Sequence, residues 1–536
     1  MTETTVRAGH KDASEVGSRP SGAGGVEKAA FGTLVAMWIV VPLITSNLTW
    51  THLANLPFTY DQSGLPKAVA VLLLTWFGLV LWAISPDSAR ASRRPVGGLL
   101  LLCALAVLLV SSIASVSPQH AFFGWYGRYE GFVTYMTYAG VFFLSVQVLT
   151  PSRWMTLARA AVYTGAVVAA YGLLQAFGID PTNWLDVQFE ATRSFASYGN
   201  PDFLSAYLIF PIGLGLVLLF AEVDAYRRWM AAVAALVCLF CEVATLARSG
   251  WVGAFLTIVI ILLALRGAGT RVGRVALGVI VSVGVLTAVL TLTSPLNPVS
   301  RARTALDLSD AGVTGRIEIW KAGTQAFLDR PVLGSGPDTF FYAVHPHLGL
   351  DQPERADRAH NYPLQLLVTT GLPGAALLMG FIALVLGRSA PHAFRGARHL
   401  PGTSGHRRAL IYLGAWAVVF GYLTALLAGI SLPGISVFMW MLLGLLAHPL
   451  ATRVIVAWKA GHAMMLAVFS IVLSLAAYGA FRAVAADARF LQARVAARSG
   501  NDYAGLVREA VRLNPVPERY QVELTAAELQ QRAPAD

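Results

Sequence analysis

Two residues in one polar segment carry most of the chemistry this sequence offers. Arg316 is a guanidinium able to fork onto phosphate oxygens, and His360 belongs to the side-chain type whose ordinary titration falls near neutrality. Both lie within residues 294–362, wedged between two long apolar runs. The segment reads Gly315-Arg316-Ile317-Glu318-Ile319-Trp320, then Asp329-Arg330-Pro331-Val332-Leu333-Gly334-Ser335-Gly336-Pro337, then Arg358-Ala359-His360-Asn361-Tyr362-Pro363. A connection of this length with no task of its own is uncommon. An anion binder and a neutral-pH base brought to a membrane surface point to a reaction on an anionic, membrane-bound substrate.

Further polar residues fall where they could join these two. The string Gly315 to Asp329 reads as an amphipathic helix with Arg316 at its start and Ile317, Trp320, Phe327 and Leu328, with Thr324 among them, on the inner or membrane face. A cation is badly placed at a helix start unless a phosphate also binds there; a salt bridge to Glu318 or Asp310 is the plainer alternative. Arg193 precedes the Gly199-Asn200-Pro201 turn, whose helix start would set it beside Arg316 and Arg248 on one face. Three guanidiniums crowded together repel unless they share an anion, and a diphosphate is such an anion. Arg248 also reads as closing a helix at its C-terminal end, where the dipole welcomes a cation. Arg128 has Glu130 nearby as a structural partner. Glu242, near the end of an apolar helix, is a candidate site carboxylate or a salt-bridge partner of Arg248. His360, just ahead of a helix carrying Pro363, suits general-base work or, more plainly, a hydrogen bond to a lipid headgroup. His345, His347, Asp351 and His360 include enough ligands for a metal, but no spacing fixes them on one face, so no metal site and no cofactor are expected.

The elements that must hold these residues follow from composition. Hydrophobic residues make up 56% of the 536 and charged ones 13%, and the mean hydropathy is +0.60, which excludes an ordinary soluble domain and fixes the class as an all-α polytopic membrane protein. Thirteen apolar runs are long enough to cross a bilayer, the first near 30–46 and the last near 463–484. Cys103, Cys238 and Cys241 all lie inside such runs and imply packing, with no disulfide framework. Alternate short loops carry the arginines, for example Arg93, Arg94, Arg227, Arg228, Arg407 and Arg408, while the others hold only isolated ones. The positive-inside rule then puts the N-terminus in the cytoplasm, and the 294–362 loop and the C-terminus outside the cell's inner membrane. The net charge of +11 names no nucleic-acid partner. Three domains are expected: a disordered cytoplasmic tail over 1–28, a membrane domain over 29–484 that contains the large outer loop, and a helical tail over 485–536. In that last part Ala510, Pro515 and Tyr520 follow the pattern of one tetratricopeptide repeat. One repeat cannot stack alone, so the tail docks on the outer loop, takes a protein partner, or is a plain helical extension.

Read together, Asn200-Pro201, Arg248-Ser249-Gly250, Gly315-Arg316, the Arg330-Pro331-x-x-Gly334-x-Gly336 run and His360-Asn361 occur in an order that resembles the O-antigen ligase and polymerase superfamily, over about residues 120–390. That resemblance implies a C-type membrane glycosyltransferase with a large outer loop over a cavity. Such enzymes join a glycan on polyprenyl diphosphate to an acceptor hydroxyl, without a metal ion and with inversion. The diphosphate would fall to Arg193 and Arg316, with Arg248 beside them, and activation of the acceptor to His360. Ligase, polymerase of lipid-linked repeats and protein O-oligosaccharyltransferase share these motifs, so the acceptor could be a lipid, a glycan or a protein. A transporter or lipid-glycan flippase is the alternative of another class; it calls for charge deep in the helices and symmetry between halves, and the sequence has little of either.

Overall fold

The computed structural model describes residues 23–47, 58–85, 92–182, 193–266, 270–294, 296–303, 311–348, 356–395, 404–454, 459–499, 502–514 and 518–532, together with single positions between 184 and 189 and residue 516. The chain is an all-α polytopic membrane protein. Its first half comprises α1 (Ala23–Leu43), α2 (Gly64–Ile84), α3 (Gly98–Ile113), short α4 (Pro118–Phe123), α5 (Phe132–Val148), α6 (Pro151–Ala176), α7 (Pro201–Ala221), α8 (Ala225–Ala244) and α9 (Arg248–Ala264). The second half adds α10 (Thr270–Thr293), α11 (Pro298–Arg303), α12 (Ala311–Asp329), α13 (Phe340–Val344), α14 (Tyr362–Phe394), α15 (Ser404–Ala425), α16 (Pro433–Ala447), α17 (Lys459–Ser499), α18 (Tyr503–Leu513) and α19 (Glu518–Arg532). Each of the thirteen apolar runs coincides with one of these helices. Among the described residues nine are long and apolar enough to cross a membrane, and α3, α5 and α9 are shorter apolar helices beside them.

The helix ends sort into two groups. At one end the short strands β1 (Ser92–Arg94) and β2 (Thr452–Val454) pair antiparallel with Arg93 opposite Arg453. Gln147 bonds both backbone groups of Arg93, Arg153 pairs with Glu27, and Arg159 pairs with Glu222 at the same end. At the other end Ser63 donates to Tyr198 O, Ser431 to Glu130, and the Tyr362 N–H to Leu426 O. The arginine-rich loops therefore share one end, and the loops carrying Arg128, Arg193 and His360 share the opposite one.

At the centre lies α16, all fifteen of whose residues are buried. A helix apolar on every side belongs inside a bundle, and here the Trp440 ring stacks between Tyr138 and Phe381, 5.6 Å from each. The Arg330-Pro331-x-x-Gly334-x-Gly336 run packs against a break in α14 at Gly371 (φ +67°). Ser335 N–H donates to Val368 O, Gly336 N–H to Thr369 O, and Leu372 N–H to Pro331 O, at 2.8–3.0 Å. Gly334 (φ +67°) and Gly371 leave no room for a side chain, since a Cβ on either would come within 2.5 Å of backbone across the junction. The motif thus joins the end of α12 to the interrupted α14, and the unpaired backbone groups of the break are satisfied by the loop.

Three expectations change. The tail over 1–28 ends earlier, because α1 starts at Ala23; residues 1–22 lie outside the described residues. No boundary separates 484 from 485: α17 is continuous from Lys459 to Ser499, so the tail is rooted in the last long helix. The buried face of α12 agrees with the expected one only in part: Phe327 packs, with Ile319, beside buried Ala322 and Ala326, whereas Ile317, Thr324 and Leu328 lie on the protein's outer surface, as a membrane-facing side allows. Small side chains let this helix approach α14 closely, with the Cβ position of Gly323 only 3.3 Å from Leu364. Side-chain size alone does not pick out such a face.

Candidate functional site

His360 sits one residue ahead of the Asn361 cap of α14, in a left-handed backbone conformation (φ +48°) that a non-glycine residue adopts only when its neighbours enforce it. The enforcing bonds are visible on both sides. Ala359 O accepts from Trp320 Nε1 of α12 at 2.9 Å, and Ala359 N–H donates to Gln365 Oε1 at 2.9 Å. Asn361 accepts from Leu364 N–H at 3.1 Å and closes the first turn of α14. This capping bond gives Asn361 a structural task.

Beneath this turn a buried ion cluster fastens the loops together. Arg358, its side chain 4% exposed, lies 3.0 Å from Glu130 Oε2 and 2.6 Å from Asp338 Oδ1. Asp338 also accepts the Trp125 and Glu130 N–H groups at 2.8 Å, and Glu130 accepts the Tyr138 hydroxyl at 2.9 Å. One guanidinium thereby ties the loop before α5 to the turn after Gly336. Arg358→Leu leaves two buried carboxylates without their counter-charge, which typically costs about 3–5 kcal/mol. A clear fall in melting temperature in detergent is expected, and an unchanged one would refute the structural role.

Arg128 does not pair with Glu130, because Glu130 is taken by Arg358. Its Nε donates to Asp357 Oδ2 at 2.6 Å, and its guanidinium lies 5.4 Å from the centre of the Phe203 ring. Burial pushes the Asp357 carboxyl up, but Arg128, with Arg358 and His360 behind it, holds it below the ordinary carboxylate range. His360 is lowered too, from its usual value of 6.5 to about 4. Burial is the larger cause, the Arg316 guanidinium the next, and Arg128 adds to them against the opposing pull of Asp357 and Asp202. The Arg316 charge is therefore felt at His360.

Arg193 reaches the same neighbourhood from another loop. Its Nε donates to Thr245 O at 2.9 Å, and its Nη2 stands 3.7 Å from Asp202 Oδ1, the carboxylate that also acts on His360. Arg248 is the first residue of α9, not the last of α8, which closes at Thr245 before Leu246 turns the chain at φ +54°. The dipole argument offered for a structural Arg248 thus reverses, since a helix start favours anions. For Arg316 it weakens, because α12 begins at Ala311 and Arg316 lies in its second turn; Asp310 lies outside the described residues. Arg301 approaches the same turn, donating from Nε to Leu246 O at 3.2 Å.

Glu242 accepts the Ser205 hydroxyl at 2.5 Å and is 2% exposed. Gly250 makes that contact feasible, as a Cβ there would lie 1.7 Å from Ser205 Oγ and 2.9 Å from Glu242 Oε1. His347 pairs with Asp329 (Nε2 to Oδ2, 2.7 Å), and Asp351 lies outside the described residues. Sequence alone does not single out Asp202, Asp357 or Arg301, and it shows Arg358 only as part of a motif. Each acts through a partner distant in sequence, and no periodicity announces such a pair.

Beside Arg128 and Asp357 opens a cavity of about 390 Å³. Its walls come from the loop before α2, the loop before α5, the turn before α7, the start of α16 and the start of α19.

Comparison with curated proteins gives no match. A family model described as O-antigen ligase matches residues 230–379. The matched stretch runs from α8 into α14 and contains Glu242, Arg248, Arg316, the glycine loop and His360, while Arg128 and Arg193 precede it. Over residues 230–379, less than a third of its length, this multi-pass membrane protein is thus similar to the O-antigen ligase family.

Proposed function

We propose that the protein transfers a glycan from a polyprenyl diphosphate to an acceptor hydroxyl, as an O-antigen-ligase-like transferase. The observation that carries this reading is the strained turn that holds His360 ahead of α14, a half-buried imidazole kept neutral by desolvation and by the Arg316 charge. In the reaction the acceptor oxygen attacks the anomeric carbon while His360 takes the hydroxyl proton. The bond from that carbon to the diphosphate oxygen breaks, and its electron pair leaves with the diphosphate. Arg316, Arg193 and Arg248 receive the charge that develops there, where preset donors in a poorly hydrated site are most effective. Attack opposite the leaving group inverts the anomeric centre. The arginine-rich end faces the cytoplasm under the positive-inside rule, so the site works at the outer face of the inner membrane.

The test is mass spectrometry of envelope glycans from a deletion strain. Lipid-linked glycan is expected to accumulate in the outer leaflet, with the acceptor unmodified. Accumulation in the cytoplasmic leaflet instead would make the protein a flippase and overturn the proposal.

A further inference from the structure

The C-terminal tail is part of the cavity wall. Three successive residues at the start of α19 each hold a different part of the chain. Glu518 accepts the Tyr342 hydroxyl. Arg519 donates from Nη2 to the Tyr60 hydroxyl at 2.7 Å, with its guanidinium 4.5 Å from the centre of that ring. Tyr520 donates to Asp487 Oδ1 at 2.5 Å, and the same oxygen accepts the Tyr126 hydroxyl at 2.7 Å. The other Asp487 oxygen accepts the Asp61 N–H at 2.8 Å, so α17 is tied into the same junction. Of the three docking residues, Arg519 is the one that lines the cavity.

The lining has the character of a sugar site more than of a phosphate site. Arg193, Arg248 and Arg316 do not line it. Its other cations are already engaged, Arg128 by Asp357 and Lys67 by the carbonyls of Val41, Pro42 and Ile44 at 2.7–3.4 Å. The half-buried rings of Tyr60, Tyr126 and Trp184 line it, and Asp61 and Asp357, which also accept from Tyr129 and Arg128, add carboxylate oxygens. Aromatic faces suit the C–H surface of a pyranose, while carboxylates and a guanidinium suit its hydroxyls. Arg128 and Asp357, two of its lining residues, both act electrostatically on His360, the residue that would meet an incoming hydroxyl.

We propose that this cavity binds a sugar of the acceptor and that the C-terminal tail completes it through Arg519. The ligand class rests on the glycan-transfer reading. With the diphosphate on Arg316 and its companions, in-line attack puts the acceptor on the other side of the reacting carbon, and the cavity whose Arg128 and Asp357 act on His360 is there to hold it.

Binding calorimetry on the purified full-length protein in detergent tests this without turnover. The probes are oligosaccharides released by mild acid from the cell's own surface glycan and, separately, inorganic pyrophosphate. The wild type is expected to bind the oligosaccharides, and Arg519→Ala to bind them about tenfold or more weakly, the usual consequence of losing a charged hydrogen bond. Tyr60→Leu, which removes the opposite partner and leaves the tail sequence intact, should weaken them likewise. Pyrophosphate affinity should be unchanged in both and reduced in Arg316→Ala. Oligosaccharide affinity equal to wild type in both cavity variants, or absent from the wild type, overturns the inference. So does a loss confined to pyrophosphate, which would assign the cavity to the donor. Pyrophosphate binding indifferent to Arg316 would instead sink the functional proposal, leaving the oligosaccharide result to decide the cavity.

Discussion

Arg316→Lys is expected to lose most transfer activity while keeping the fold and the charge. A guanidinium presents two parallel N–H donors to a phosphate; an ammonium presents a single charged point on a flexible stem. Losing one charge-assisted bond in a desolvated site costs about 2–3 kcal/mol, or roughly 30- to 150-fold in kcat/KM. The substitution preserves the positive charge next to His360, so the pH dependence should hardly move. Arg316→Gln removes that charge and makes a sharper test. The imidazole should then titrate closer to its usual 6.5, because one of the causes that lowers it is gone. The acid limb of the rate profile should rise in pH along with it. Near-normal turnover in Arg316→Lys would show that Arg316 does not hold the diphosphate, and an unmoved profile in Arg316→Gln that it does not act on His360.

Much of the fold is legible in the sequence because a bilayer demands long, continuous apolar runs of any helix that crosses it, and few soluble folds tolerate them. All thirteen runs coincide with helices, and the sorting of arginines between alternate loops is matched by their gathering at one end. The departures are local. Arg248-Ser249-Gly250 has the look of a helix end, yet α8 stops at Ala244 and Gly250 is there so that α9 can pass close to Ser205 and Glu242. Residue type identifies Arg316 and His360 as candidates, but not Asp357, three residues before His360 and held by Arg128, or Asp202, which acts on the imidazole from the start of α7. Nor can sequence tell a docked tail from a free one. That depends on Glu518, Arg519 and Tyr520 finding Tyr342, Tyr60 and Asp487, which are separated from them by between 33 and 459 positions.

The chemistry depends most on His360, and His360→Ala is expected to abolish transfer while the protein stays folded and still binds the lipid-linked donor. A general base contributes about 100- to 10,000-fold, and the arginines that hold the donor are untouched by the substitution. The pH profile separates a base from a bystander. The kcat/KM profile reports the free enzyme, in which His360 titrates at about 4. Activity should therefore stay level as the pH falls through the usual imidazole range, and drop only as it approaches that lower value and the proton acceptor is lost. The kcat profile reports the complex, where the bound diphosphate offsets the nearby guanidiniums. Its acid limb should lie at higher pH than that of kcat/KM, a separation that an imidazole remote from the diphosphate would not produce. A rate that rises on acidification would make His360 a proton donor. Residual turnover above roughly a tenth of wild type in His360→Ala would move the proton to another group, with Glu242 the first to examine. Loss of donor binding together with activity would leave His360 only the structural task of holding the turn ahead of α14.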